Sequence, residues 1–159
     1  MKASVFYKIS AVLLVLFAAG HTLGFRQSDP AWGVDTLIAM MKGIHFNVQG
    51  FSRSYWDVFV GSGLFVSLFL VFAAVVAWQL GTLSDDALRT IPLLRWSLAV
   101  CFALETLLTC AYFFTAPIVF SAAITACLML AAWLPARSGA VASDARGKAV
   151  LHASGSKTS

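Results

Sequence analysis

Glu105 is the residue whose type and position come closest to specifying chemistry. It lies ten residues after Arg95 and ten before Thr115 in a strongly apolar stretch. At a rise of about 1.5 Å per residue, that places a carboxyl group near the middle of a membrane-crossing helix. A charged group there is costly and normally faces a bundle interior or a water-filled cavity. Such a carboxyl can carry a proton, act as a general acid or anchor a ligand. It can equally serve as a hydrogen-bonding tie between helices. Thr109 and Tyr112 share its helical face at i+4 and i+7. Ser67, in another apolar stretch, is expected at similar depth and within reach. Glu105, Ser67, Thr109 and Tyr112 are therefore read as one buried polar set.

His21 is the second candidate. It falls about one turn from the end of the first apolar stretch, among Gly20, Thr22 and Gly24. Small neighbours favour close helix packing, and imidazole is suited to proton exchange near neutrality. His21 is a possible partner of Glu105, through tilt or a bridging water, or a donor to an outer loop.

The densest polar and aromatic cluster is the run containing His45, Asn47, Gln49, Arg53, Tyr55, Trp56 and Asp57. Arg53 and Asp57 are i,i+4, so a helix beginning early enough pairs them. Tyr55 and Trp56 suit a membrane interface. The cluster reads either as a loop tied down by one ion pair or as the mouth of a site for a lipid or small molecule. Gly61 and Gly63, just beyond it, allow close helix approach or leave room for a ligand.

Other chemistry lacks its signature. No phosphate-binding loop, nucleophile elbow, zinc-protease motif or dinucleotide fingerprint occurs. The three histidines are scattered, and His152 lies in the tail, so neither a metal nor a cofactor is expected. Cys101, Cys110 and Cys127 have no metal-ligand spacing and are expected as small buried hydrophobes.

The elements that must position these residues follow from composition. The chain has 159 residues, 60% hydrophobic and 11% charged, against about 25% charged in an average soluble domain. A chain this short cannot hide that much apolar surface from water. Four apolar runs, from Ile9 to Phe25, Val58 to Ser84, Leu93 to Thr115 and Pro117 to Leu134, approach or exceed the roughly 20 residues needed to cross hydrocarbon. Helices are expected because open strands in lipid leave backbone groups unpaired. The fold class is thus all-α, a four-helix transmembrane bundle within residues 1–136. Its spans are expected at about 5–25, 57–82, 92–115 and 117–135.

Between the first two spans, Val34, Leu37, Ile38, Met41, Ile44 and Val48 fall near a 3.6-residue period. A short amphipathic helical loop is expected there, with Asp29-Pro30 and Asp35 as helix-opening signals and Gly50 as a break. Ser84-Asp85-Asp86 reads as a cap opening a short helical turn. Residues 137–159, rich in Ala, Ser, Gly and Lys without a periodic apolar face, are expected to be a disordered tail.

With four spans, Lys2, Lys8, Arg89, Arg95, Arg137, Arg146, Lys148 and Lys157 share one side and Arg26, Lys42 and Arg53 the other. That asymmetry places both termini in the cytoplasm and the chain in the plasma membrane. A competing signal is Ala18-Ala19-Gly20, which has the form of a signal-peptide cleavage site after an apolar core. The basic residues do not cluster with exposed aromatics, so the bilayer, not nucleic acid, is the expected partner.

The run His45-Phe46, Val48-Gln49-Gly50-Phe51-Ser52-Arg53-Ser54-Tyr55-Trp56-Asp57, then Gly61-Ser62-Gly63-Leu64-Phe65-Val66-Ser67 and Ala77-Trp78-Gln79-Leu80-Gly81, resembles a family of small bacterial four-helix membrane proteins. Gly20-His21-Thr22-Leu23-Gly24 is similar as well. The resemblance covers roughly residues 5 to 135, implies the four-helix architecture and brings no activity with it. Size and helix count also resemble the broader DoxX-like proteins, in architecture alone.

Three functions remain open from sequence. The first is a module binding a lipid or small apolar ligand, or a subunit of a larger membrane complex. The second is a membrane-embedded enzyme using Glu105, with His21 or His45, for proton transfer on an apolar substrate. The third is an oligomer that conducts protons or ions.

Overall fold

A computed structural model describes the backbone of residues 2–155 and the side chains of residues 2–135. The fold is all-α but for one small hairpin. In chain order it comprises α1 (Ala3–Gly24), a 3-10 turn (Pro30–Trp32), α2 (Asp35–Gly43), β1 (His45–Val48), β2 (Phe51–Ser54), α3 (Tyr55–Leu80), α4 (Asp85–Thr90), α5 (Pro92–Tyr112) and α6 (Thr115–Gly155). Helices α1, α3, α5 and the Thr115–Pro135 part of α6 are each long and apolar enough to cross a membrane. On α3, Phe65, Phe69 and Phe72 are each more than 60% exposed, which in a chain of this composition is surface for lipid. The protein is an integral, multi-pass membrane protein.

Local signals account for the boundaries. Asp29 caps the 3-10 turn by accepting from the Ala31 N–H at 2.8 Å, and Gly33 ends it with φ 65°. The Ser84 hydroxyl accepts from the Ala87 N–H at 3.2 Å to open α4, and Pro92 opens α5. At α3 the start is a reciprocal cap. Asp57 Oδ2 accepts from the Ser54 N–H at 2.8 Å and from its hydroxyl at 2.9 Å, while Ser54 Oγ accepts from the Asp57 N–H at 3.2 Å. This is the capping-box pattern with Asp in the acidic position. A cap of this kind contributes about 1 kcal/mol.

The chain divides into two compact units, Leu14–Ala74 and Met1–Leu13 with Val75–Ser159. In the first, Leu14, Ala18, Leu70, Ala73 and Ala74 are buried. The connection from α1 to α3 departs from the expected helical loop. Helix α2 stops at Gly43, and β1 pairs antiparallel with β2 in the register His45↔Ser54, Phe46↔Arg53, Asn47↔Ser52 and Val48↔Phe51. Gln49 (φ 52°) and Gly50 (φ 85°) form the two-residue turn. Positive φ at both central positions is the type I′ geometry that matches strand twist. Gly50, expected as a break before the second span, makes that break as the second residue of a hairpin turn.

In the second unit, Tyr7, Leu88, Ala99, Ile124, Leu128 and Ala131 form the buried core. Helix α5 packs along α6, where the Thr106 and Thr125 hydroxyls bond at 2.9 Å. Pro135 lies inside α6. Lacking an N–H, it leaves the Ala131 carbonyl without its helical donor. Two arginines serve neighbouring carbonyls. Arg89 Nε donates to Pro135 O and Arg95 Nη1 to Ala132 O, each at 3.1 Å. The helix continues through residues 137–155, where composition predicts disorder. Ala, Arg and Lys are strong helix formers, and their summed propensity opposes the missing apolar face. The remainder of the expected tail, 156–159, lies outside the described residues.

Candidate functional site

Helix α5 carries Glu105 seven residues before its end at Tyr112, about 10 Å by helix rise. It is thus nearer that end than its spacing from Thr115 implies, because α5 stops before Phe113. Thr109 is its partner at i+4, as expected. The Thr109 hydroxyl is placed to donate to Glu105 Oε1 and to the Glu105 carbonyl, each at 2.8 Å. Glu105 Oε2 is sealed from solvent and has no partner. When the Thr109 hydroxyl donates to Oε1, the proton of a neutral carboxylic acid belongs on Oε2, which then becomes a donor. Tyr112 does not join this group. It is 79% exposed at the last residue of α5, where an aromatic ring suits a bilayer interface.

Ser67 is buried, but its bonds run to α1. His21 Nδ1 lies 3.0 Å from Ser67 Oγ, and the Thr22 hydroxyl lies 2.7 Å from it. Ser67 also approaches the Gly63 carbonyl at 3.3 Å. The Phe25 ring stacks on His21 with centroids 5.1 Å apart and 13° between planes. A Cβ on Gly63 would collide with the Phe25 ring, whereas Gly61, Gly20 and Gly24 have open space at that position. Of the four glycines read as packing positions, only Gly63 is one. A serine bonded to an imidazole is the beginning of a nucleophile–base pair. Ser67, however, lies within α3, where backbone N–H groups are committed to the helical ladder and make no oxyanion hole. The arrangement is a polar tie between α1 and α3.

The cluster from His45 to Asp57 resolves into a two-faced hairpin. His45, Asn47, Ser52 and Ser54 lie on one face, and Phe46, Val48, Phe51 and Arg53 on the other. Gln49 is in the turn. Arg53 belongs to β2, before the helix begins, so the expected i,i+4 pair with Asp57 does not form. Arg53 Nη1 donates to Ser52 O at 2.8 Å, its guanidinium lies over Phe51, and Asp57 is held by Ser54. Beside the hairpin, Tyr55 packs on Phe46, and the Lys42 ammonium sits 4.6 Å from the centre of a Trp56 ring. His45 bonds the Gly43 carbonyl.

Cys101 and Cys110 are exposed on α5 and Cys127 is half-buried on α6, so the expectation of burial in protein is corrected. Among the described residues no three His, Cys, Asp or Glu side chains gather to hold a metal. Arg95, inside the expected third span and counted among the cations of the cytoplasmic side, lies in α5 at 2% exposure.

No family model, no curated protein and no solved structure matches the chain.

Proposed function

We propose that this membrane protein is a binding module for a small apolar ligand that carries a hydrogen-bond acceptor, such as a carbonyl. The observation supporting it is Glu105 Oε2, a sealed and unpartnered carboxyl oxygen in a membrane-spanning helix. A polar atom in that position completes its bonding with a ligand atom at a gain of about 1–3 kcal/mol. Binding of a short-chain ubiquinone analogue to the purified protein, followed through tryptophan quenching, tests this. Glu105→Gln keeps a donor and is expected to bind within about threefold of the parent, whereas Glu105→Leu weakens binding about tenfold. Equal affinity for the parent and the leucine variant removes the reading.

The same oxygen supports a proton-transfer enzyme as the second reading. The glutamine variant separates the two, since an amide binds a carbonyl but cannot deliver a proton.

We infer further that the chain resides in a bacterial plasma membrane with both termini cytoplasmic. The support is the eight-to-three distribution of Lys and Arg. In a background with its three cysteines replaced by alanine, Gln49→Cys is expected to react with a membrane-impermeant maleimide on intact cells. Asp85→Cys reacts only after permeabilisation. The opposite pattern inverts the topology.

A further inference from the structure

The β1–β2 hairpin has a polar face and an apolar face, and among the described residues nothing covers the apolar one. Of its strand residues, Ser54 is buried and Phe46 half-buried, and the rest are exposed. On one face His45, Asn47 and Ser52 suit water. On the other, Val48 and Phe51 form a cross-strand pair at 54% and 62% exposure. A two-stranded hairpin is marginal in water and needs a layer packed against its apolar face. Leu37 and Met40, i and i+3 on α2, are exposed as well.

The attachment of the hairpin indicates what that face meets. Strand β2 ends at Ser54 and α3 begins at Tyr55, with no linker between them. Tyr55 packs on Phe46 with ring centroids 5.1 Å apart, so the apolar face runs into the first turn of α3. Val58 and Phe59, one turn further on, are exposed and lead into the lipid-facing surface of that span. The hairpin, α2 and this part of α3 belong to one compact unit. The apolar patch is thus continuous with a surface that faces lipid, at the level where aromatic rings mark the membrane boundary.

The charge on this face fits the same surface. Arg53 shares the face with Phe46, Val48 and Phe51. Its guanidinium lies 5.4 Å from the centre of the Phe51 ring, and Nη1 donates to Ser52 O at 2.8 Å. Among the described residues its other N–H groups have no acceptor, and no carboxylate lies within ion-pair distance. The nearby Asp57 is committed to Ser54. A cation that rides on an apolar face with donors to spare is suited to the phosphate layer of a membrane. Lys42 repeats the arrangement, with its ammonium over Trp56 and no carboxylate partner.

We propose that the Phe46, Val48 and Phe51 face of the hairpin docks on the bilayer that α3 crosses, with Arg53 on a lipid phosphate. The hairpin lies in the headgroup layer, Val48 and Phe51 toward the acyl chains and Asn47 and Ser52 toward water. Glu105 takes no part, so this proposal and the ligand-binding one stand or fall separately.

Lipid-borne quenching tests it. In the full chain with its native cysteines replaced by alanine, Asn47→Cys, Val48→Cys, Phe51→Cys and Ser52→Cys are each labelled with nitrobenzoxadiazole. The proteins are reconstituted into vesicles of phosphatidylethanolamine and phosphatidylglycerol containing phosphatidylcholine with a nitroxide near the top of its acyl chain. The nitroxide occupies both leaflets, so the orientation of the protein does not affect the result. Quenching at Val48 and Phe51 is expected to exceed that at Asn47 and Ser52 about threefold or more. Arg53→Glu sets a carboxylate against phosphate and is expected to reduce quenching at Val48 about twofold. Replacing Phe51 removes the ring beneath Arg53, so Val48 decides where the two positions disagree. Equal quenching on both faces overturns the proposal, as does a Val48 label that is unquenched with water-like emission. An unquenched Val48 label with blue-shifted emission overturns it in favour of a second copy or a partner protein over this face. Quenching at Val48 that is unchanged by Arg53→Glu overturns it too.

Discussion

Gly63→Ala is expected to lower the thermal stability of the detergent-purified protein by about 1–3 kcal/mol, the usual cost of overpacking. The added Cβ falls on the Phe25 ring. That ring is not free to swing aside without loss, because it stacks on His21 and leans on Phe59 at 5.9 Å between centroids. Gly61→Ala is the control, since its Cβ enters open space, and it should change stability by less than about 0.5 kcal/mol. The double variant Gly63→Ala with Phe25→Leu relieves the collision and recovers part of the loss. Direct neighbours of this kind couple by about 0.5 kcal/mol or more in a double-mutant cycle. Strict additivity would show that the ring and the glycine do not meet.

Ser67→Ala is the second large effect, at about 2 kcal/mol of destabilisation. The lost hydroxyl serves both His21 Nδ1 and Thr22 Oγ1. Thr22 retains a bond to the Ala18 carbonyl at 2.7 Å, so most of the penalty falls on the imidazole. Ser62→Ala removes a serine five residues earlier that is exposed and should be nearly neutral. Unfolding curves for the two variants that coincide would count against the polar tie between α1 and α3.

Which parts of this structure could be read from the chain depends on how far apart the interacting residues lie. The four spans were legible because each is an apolar run whose length alone excludes most alternatives. The Glu105–Thr109 bond was legible because i+4 neighbours meet on any helix. The His21–Ser67 bond joins residues 46 apart, and nothing local specifies which residues of two apolar helices face each other. The hairpin was hidden by overlap. Ile44 and Val48 fit a helical period as well as a strand, and Gln-Gly is a weaker turn signal than Asn-Gly. Ser54-x-x-Asp57, by contrast, is a capping-box signature that outweighs the Arg53–Asp57 spacing once the helix start is placed at Tyr55. Arg95 was placed in the right helix, but its burial was not legible, because burial of a charge has no sequence pattern of its own.

The exposure of Cys101 and Cys110 has a practical consequence. They are nine residues apart on α5, which is two and a half helical turns and about 13.5 Å along the axis. Two and a half turns put them on opposite sides of the helix, and both sides are uncovered. Among the described residues, helix α5 is therefore covered along a narrow stripe, and most of its circumference is left for lipid. The two thiols form a native pair of probe sites, one at each depth. Spin labels placed there report polarity and dynamics from both flanks of the helix that bears Glu105, without engineering a new residue into it.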